Sequence, residues 1–313
     1  MRAVVTPGDG TLSIEERPDP TPSQGEVLVA VKAAGLNGAD RLQRAGLYPA
    51  PPGVPADIPG LEIAGEVIAV GPETDDSLIG SRVMALVAGG GQAELCTVHH
   101  SHLLTVPESV DWSSAGGFAE TFSTAHDAII GQAGLKAGER LLVTGAAGGV
   151  GTAAIQIAGL TGAEIVASVR SEALRSHVQQ LGATVVSPGE EGDEGPFDVV
   201  LELVGAPNVP ADLASLQTGG RIVVIGGGAG AKTELNLLLL MAKRAKIMGS
   251  TLRARSIPEK ACVAAGVTAD LLPALADGGL TVPVEAAFPL DDAASAYTRF
   301  DAGAKFGKII LTL

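Results

Sequence analysis

The sequence predicts an α/β protein built on a doubly wound parallel sheet, carried within a β-rich first domain. Three observations lead there. Between about residues 120 and 257, six short apolar runs alternate with helical stretches. The first run opens into a glycine-rich turn, Gly145-Ala146-Ala147-Gly148-Gly149-Val150-Gly151. The chain is 46% apolar yet only 3% aromatic, the aliphatic and alanine-rich texture of strands buried on both faces beneath helices.

The first third is rich in Pro, Gly and β-prone runs. Val27–Val31 and Ile63–Val70 read as strands, and Ala93–Val98 as a third. Tyr48–Pro55 holds four prolines, which lack backbone donors, so it reads as a loop. After residue 120, strands are expected at Arg140–Gly145, Glu164–Val169, Thr184–Val186, Phe197–Leu203, Arg221–Ile225 and Lys246–Leu252. Helices are expected at Val150–Ala158 and Glu172–Leu181. Leu235–Met241 is too short to span a bilayer and reads as a buried helix. From Ile257 onward we expect one helical stretch, a loop and a last strand, Lys308–Leu313, that rejoins the N-terminal domain.

A net charge of −14 disfavours a nucleic-acid or anionic membrane partner. Two cysteines call for no disulfide framework and fit a reducing compartment. The opening residues show no signal-peptide pattern, so a cytoplasmic location is expected.

Gly149, Gly151 and Ala154 fit G-x-G-x-x-G/A between a strand and a helix, the dinucleotide-binding arrangement of a Rossmann-type domain. In this reading Gly149 permits the tight turn, and Gly151 lets the backbone approach the pyrophosphate. Ala154 allows close helix packing, and the helix start near Val150 offers free N–H groups, with Gly148 beside it. An NAD site usually places a carboxylate at the end of the second strand. Here that strand ends Ser168-Val169-Arg170-Ser171. Arg170 or Arg175 can pair with a 2′-phosphate, and the hydroxyl of Ser168 or Ser171 can bond to it, so NADP(H) is the expected cofactor.

The chain resembles the medium-chain dehydrogenase/reductase superfamily along its whole length, in the zinc-free, zeta-crystallin-like quinone oxidoreductase branch. Gly35–Arg44, Pro59–Val67, Ala88–Glu94 and Gly303–Leu311 carry the likeness beside the glycine motif. The Tyr48–Gly53 loop and Leu252–Arg255 are most similar to the stress-induced animal quinone oxidoreductases and their bacterial relatives. The resemblance implies a GroES-like β-rich domain, 1–119 plus 258–313, around a Rossmann domain, 120–257. It implies that Asn37 and Thr124 help hold the cofactor. Leu203, Val204, Gly205, Ile225, Gly226, Leu252 and Arg253 would border it, and Tyr48 would line the substrate side of the nicotinamide. Zinc alcohol dehydrogenases, which also resemble the chain, carry Cys where Asn37 stands and His where Leu61 stands. Asn and Leu do not make a tetrahedral zinc site, so metal-free chemistry is implied.

The function implied is hydride transfer from NADPH to a quinone or conjugated carbonyl, with Tyr48, Asn37 and Thr124 as the catalytic candidates. A phenol at Tyr48 can stack on a flat ring or donate a proton. An enone or enoyl-thioester reductase, and a non-catalytic NADPH-binding sensor or structural protein, remain open. His99, His100 and His102 suggest a metal by spacing, but adjacent residues of an extended segment point to opposite faces, and a polar surface turn is the plainer reading. His126 reads as a helix-face residue and Cys96 as an inert core thiol. Lys246–Leu252 should lie at a sheet edge, where pairing with a second copy would make a homodimer.

Overall fold

The computed structural model describes residues 1–313, which divide into two compact units. One unit comprises Met1–Ser123, Leu252–Gly303 and Lys308–Leu313, and the other Thr124–Thr251 with Ala304–Gly307.

The first unit begins with a two-stranded ribbon, β1 (Arg2–Val5) and β2 (Ser13–Glu16). Strands β3 (Glu26–Gly35), β4 (Glu62–Val70), β5 (Arg82–Leu86), β6 (Leu95–His99) and β7 (Leu103–Thr105) follow. The short helices α1 (Gly38–Arg44) and α2 (Trp112–Gly116) lie in the same unit, and α3 (Ala119–His126) carries the chain into the second. Val27, Val29 and Val31 of β3 alternate inward onto Ile63, Val67, Val83, Ala85, Cys96 and Val98, the period-2 burial of a sheet with one covered face. No regular strand or helix forms between Ala45 and Leu61, where the prolines deny the backbone its donors.

The second unit holds six parallel strands: β8 (Arg140–Val143), β9 (Glu164–Ser168), β10 (Thr184–Val186), β11 (Phe197–Glu202), β12 (Leu216–Val224) and β13 (Lys246–Gly249). Their order is β10-β9-β8-β11-β12-β13, the doubly wound pattern, with a topological switch point between β8 and β11. Helices α4 (Gly149–Thr161), α5 (Glu172–Gln179), α6 (Val209–Ser215) and α7 (Leu237–Lys243) connect them. The sixth strand stops at Gly249, not Leu252, because Ser250 turns its hydroxyl to Asp127, 2.8 Å away. It is an edge strand, as expected.

The Leu235–Met241 segment departs from expectation. It forms α7, but Leu237, Leu238 and Met241 are 63%, 77% and 70% exposed. A two-turn helix has two sides, and only Leu239 and Leu240 reach the core under β12.

The tail is also richer than expected. It forms α8 (Ile257–Asp270), α9 (Leu272–Ala276), β14 (Val284–Pro289), α10 (Ala293–Asp301) and β15 (Lys308–Thr312). Pro273 sits in the first turn of α9, and the short alternation of Val284–Pro289 is easily read as loop. Strand β15 does rejoin the first unit, pairing antiparallel with β3 at Leu311 and Ala34. The sheet there runs β14-β15-β3-β4-β5-β7, with β6 also on β3. No helix is long and apolar enough to cross a membrane.

Candidate active site

In the second unit, the turns after β8, β9, β11 and β12 all lie at the carboxyl ends of parallel strands, where such sheets bind ligands. Gly145 takes φ +58° after β8, and Gly148 precedes the first residue of α4 without a side-chain cap. The first N–H groups of α4 therefore have no partner from a capping side chain, the arrangement that receives phosphate. The glycine roles differ from the sequence reading. The turn that needs a left-handed residue is at Gly145, while Gly149 is already helical. A Cβ on Gly151 would lie 2.5 Å from the Ala146 carbonyl oxygen, so this glycine lets the helix pack on its own entry loop. Gly148 is the open position, its nearest neighbour 3.6 Å from a Cβ.

After β9, Val169 is buried and Arg170 is exposed, with no partner in the chain. Arg175 turns back, Nε donating to the Val169 carbonyl at 3.2 Å. Ser171 precedes α5. Ser168 differs from the expectation: it is buried and its hydroxyl donates to Glu191 at 2.6 Å, so its hydrogen is already used. No carboxylate occupies positions 168–171.

The turns after β11 and β12 are held together by a residue the sequence reading passed over. Glu202 is fully buried and accepts from the N–H groups of Val204 at 2.5 Å and Gly205 at 2.6 Å. Its backbone carbonyl accepts from Ile225 and Gly226 at 3.0 and 3.1 Å. A Cβ on Gly226 would stand 2.0 Å from the Leu203 carbonyl oxygen, so only glycine permits this approach. Asp212 of α6 faces Glu202, and burial followed by the Glu202 charge holds its carboxyl well above the ordinary range. A buried Glu at the end of an apolar strand was the available signal, because such a charge needs partners.

In the first unit, Asn37 begins α1 and is joined to a buried ion pair. Its side-chain amide donates to Glu62 at 3.0 Å, and its Oδ1 accepts from Lys308 Nζ at 2.7 Å. Lys308 also donates to the Leu36 carbonyl at 2.8 Å. Glu62 also accepts from the Glu120 N–H at 2.9 Å, at the start of α3. Asp40 closes the other side, accepting from the N–H groups of Asn37 at 2.8 Å and Gly60 at 3.0 Å. Burial, partly offset by those N–H groups and Lys308, raises its pKa to about 6. Leu61 is buried and apolar. These residues do not fit a zinc ion: the donor set is an amide and one carboxylate, and an ammonium already pairs with both. Thr124, on α3, is buried.

Tyr48 is half-buried in the proline-rich loop and lies under Arg253, whose guanidinium is 4.9 Å from the ring centroid. Arg253 is itself buried, donating to the carbonyls of Ala88 at 2.7 Å and Tyr48 at 3.0 Å and to the Gln43 side chain. Three of its five N–H donors hold loops of the first unit, and Leu252 beside it is buried.

The histidines do not point to opposite faces. Residues 100–102 wind into a 3₁₀ turn, and the rings of His99 and His100 stack at 4.8 Å. His102 is buried rather than on the surface, its Nε2 3.0 Å from the Ile257 carbonyl. His126 is a buried helix residue, and burial pushes the Cys96 thiol up to about 12, inert at neutral pH.

Comparisons with known proteins agree with this architecture. Residues 23–133 match the alcohol dehydrogenase GroES-like domain, and 149–265 match the family described as zinc-binding dehydrogenase. Human quinone oxidoreductase is 32% identical over 307 residues, covering 94% of this chain and 91% of its own. The quinone oxidoreductase of Thermus thermophilus, solved alone and with NADPH, shares 32% identity and a TM-score of 0.85, with all of both chains covered. A mycobacterial protein complexed with NADPH shares 27% identity and a TM-score of 0.89, again over all of both chains. The chain therefore belongs to the medium-chain dehydrogenase/reductase superfamily of oxidoreductases, on its quinone oxidoreductase branch.

Proposed function

We propose that this oxidoreductase uses NADPH to reduce a quinone or another conjugated carbonyl compound, without zinc. The observation that carries the cofactor is Arg170: an exposed, unpartnered guanidinium after the second parallel strand, with no carboxylate at 168–171. Two structural relatives were solved with NADPH, and several curated relatives, the human one among them, are quinone oxidoreductases, which supports both halves of the reading.

When bound, NADPH supplies hydride from its nicotinamide ring to the acceptor. The chain's part is to bind and orient. The free N–H groups at the start of α4 take the pyrophosphate, with Gly148, Gly149, Val150 and Gly151 at the approach. Arg170 takes the 2′-phosphate, with Ser171 and Arg175 beside it. Val204, Gly205, Ile225 and Gly226, held by Glu202, form a fixed backbone edge for the ring. We assign Asn37 and Thr124 to holding the nicotinamide end and Tyr48 to the acceptor. A quinone requires no strong acid from the protein, because its reduced oxygens can take protons from solvent.

The test is NADPH oxidation over a panel of quinones, enals and enones, with metal analysis of the same preparation. Turnover with a quinone that survives chelation supports the reading. Zinc near one per chain, with activity lost on chelation, overturns the metal-free part, and no acceptor turnover at all overturns the enzymatic part.

A further inference from the structure

Between Ala45 and Leu61 the chain forms no regular strand or helix, so the place of Tyr48 depends on side chains from outside that loop. Two such side chains hold it. Gln43 of α1 donates to the Ala56 carbonyl at 3.0 Å, and Arg253 donates to the Tyr48 carbonyl at 3.0 Å. The two anchors are joined, because another guanidinium nitrogen of Arg253 donates to the Gln43 side-chain oxygen. Nε of Arg253 reaches a third segment, the Ala88 carbonyl at 2.7 Å. That segment lies close to the same loop: a Cβ on Gly89 would stand 2.7 Å from Val54 Cγ1.

Gln43 and Arg253 are both buried. The three acceptors of Arg253 are neutral, and a neutral donor could satisfy any one of them without the cost of burying a cation. What only a guanidinium offers is a planar fork that reaches several acceptors at once and a flat cationic face for an aromatic ring. Tyr48 takes that face, its ring centroid 4.9 Å from the guanidinium carbon. One side chain therefore fixes both the backbone and the ring of Tyr48. All of these residues belong to the first unit.

We propose that Arg253 is a positioning residue for the acceptor and not a cofactor contact: it holds the Tyr48 loop and ring as a preset surface for a flat conjugated molecule. This rests on the assignment of Tyr48 to the acceptor. The guanidinium covers one face of the ring, and the acceptor takes the other. With the fork in place the loop is ordered before the acceptor arrives. Without it, the ordering happens on binding and weakens the acceptor's affinity. NADPH affinity, set by the start of α4 and by Arg170, does not register the change.

The test uses the full chain with NADPH and 1,4-naphthoquinone. Arg253→Met should raise the quinone KM at least about tenfold, while kcat and the NADPH Kd stay within about threefold. Arg253→Lys keeps the charge and loses the fork, so it should share the raised KM; it also decides the matter where the Met variant does not fold. In a Tyr48→Ala background, Arg253→Met should raise KM by less than about twofold, because its effect passes through the ring; a merely structural arginine gives the same loss in both backgrounds. Hydrogen exchange over residues 45–57, which needs no turnover, should be faster in Arg253→Met. Unchanged exchange there overturns the clamp. Faster exchange with an unchanged quinone KM, an NADPH Kd weakened in step with KM, or equal losses in both backgrounds overturns the acceptor role. No turnover of any quinone or enone by the unmodified chain defeats the hydride-transfer reading and the acceptor role with it, and the exchange result then decides the clamp alone.

Discussion

Lys308 Nζ lies 2.5 Å from Glu62 Oε1, and the two side chains are 3% and 0% exposed. The pair ties the last strand of the chain to β4. Through Asn37 and the Glu120 N–H it also fixes the starts of α1 and α3.

Breaking that pair should be expensive. Lys308→Met leaves the Glu62 carboxylate buried without its cation, and a loss of about 3–5 kcal/mol is expected. Lys308→Met with Glu62→Leu should recover much of it, since no charge is then stranded. Denaturant unfolding of the three proteins decides. A single-variant loss below about 1 kcal/mol would show that water reaches Glu62.

Arg170→Ala should weaken NADPH at least about tenfold, or about 1.4 kcal/mol, and leave NADH nearly unchanged. Fluorescence titration of both cofactors measures this. Equal affinity for NADPH and NADH in the unmodified chain would remove Arg170 from the role.

Asp212 gives a pH-dependent stability whose sign follows from its raised folded-state pKa. Between its ordinary value of 3.8 and that raised value, the folded chain holds a proton that the unfolded chain has released. Its stability contribution is therefore fully present at low pH and is lost as pH rises from about 4 through neutrality, by at most about 1.4 kcal/mol per pH unit. Asp212→Asn keeps a donor toward Glu202 and does not titrate. The urea midpoint of Asp212→Asn should gain on that of the unmodified chain as pH rises. Parallel midpoints between about pH 5 and about pH 8 would show that Asp212 ionises alike in both states.

The β13 edge should join two copies into a homodimer. Its outer side is unpaired and free of proline, and the apolar faces of Leu237, Leu238 and Met241 on α7 lie exposed in the same unit. Light scattering at micromolar concentration should give twice the 31.3 kDa chain mass. Met248→Pro should shift the protein toward monomer. A mass of one chain for the unmodified protein would defeat the idea.

Much of the architecture was determined locally and was legible in the sequence. The alternation of Val27, Val29 and Val31 set one face of β3, and the six apolar runs with their glycine turn set the doubly wound sheet. A side-chain period and a turn residue act over a few positions, so a linear reading captures them. The absence of a carboxylate at 168–171 was legible for the same reason. Which glycine carries the strained turn was not, because the conformation of Gly145 and the packing of Gly151 on Ala146 depend on how helix and strand meet. Only the tertiary structure decided that Lys308 answers Glu62 across 246 positions of the chain, that Glu202 braces two loops, and that Arg253 holds Tyr48. It likewise decided that α7 is exposed. Burial of a charge is tolerable only where its partners converge, and that convergence belongs to the packed chain, not to the order of residues along it.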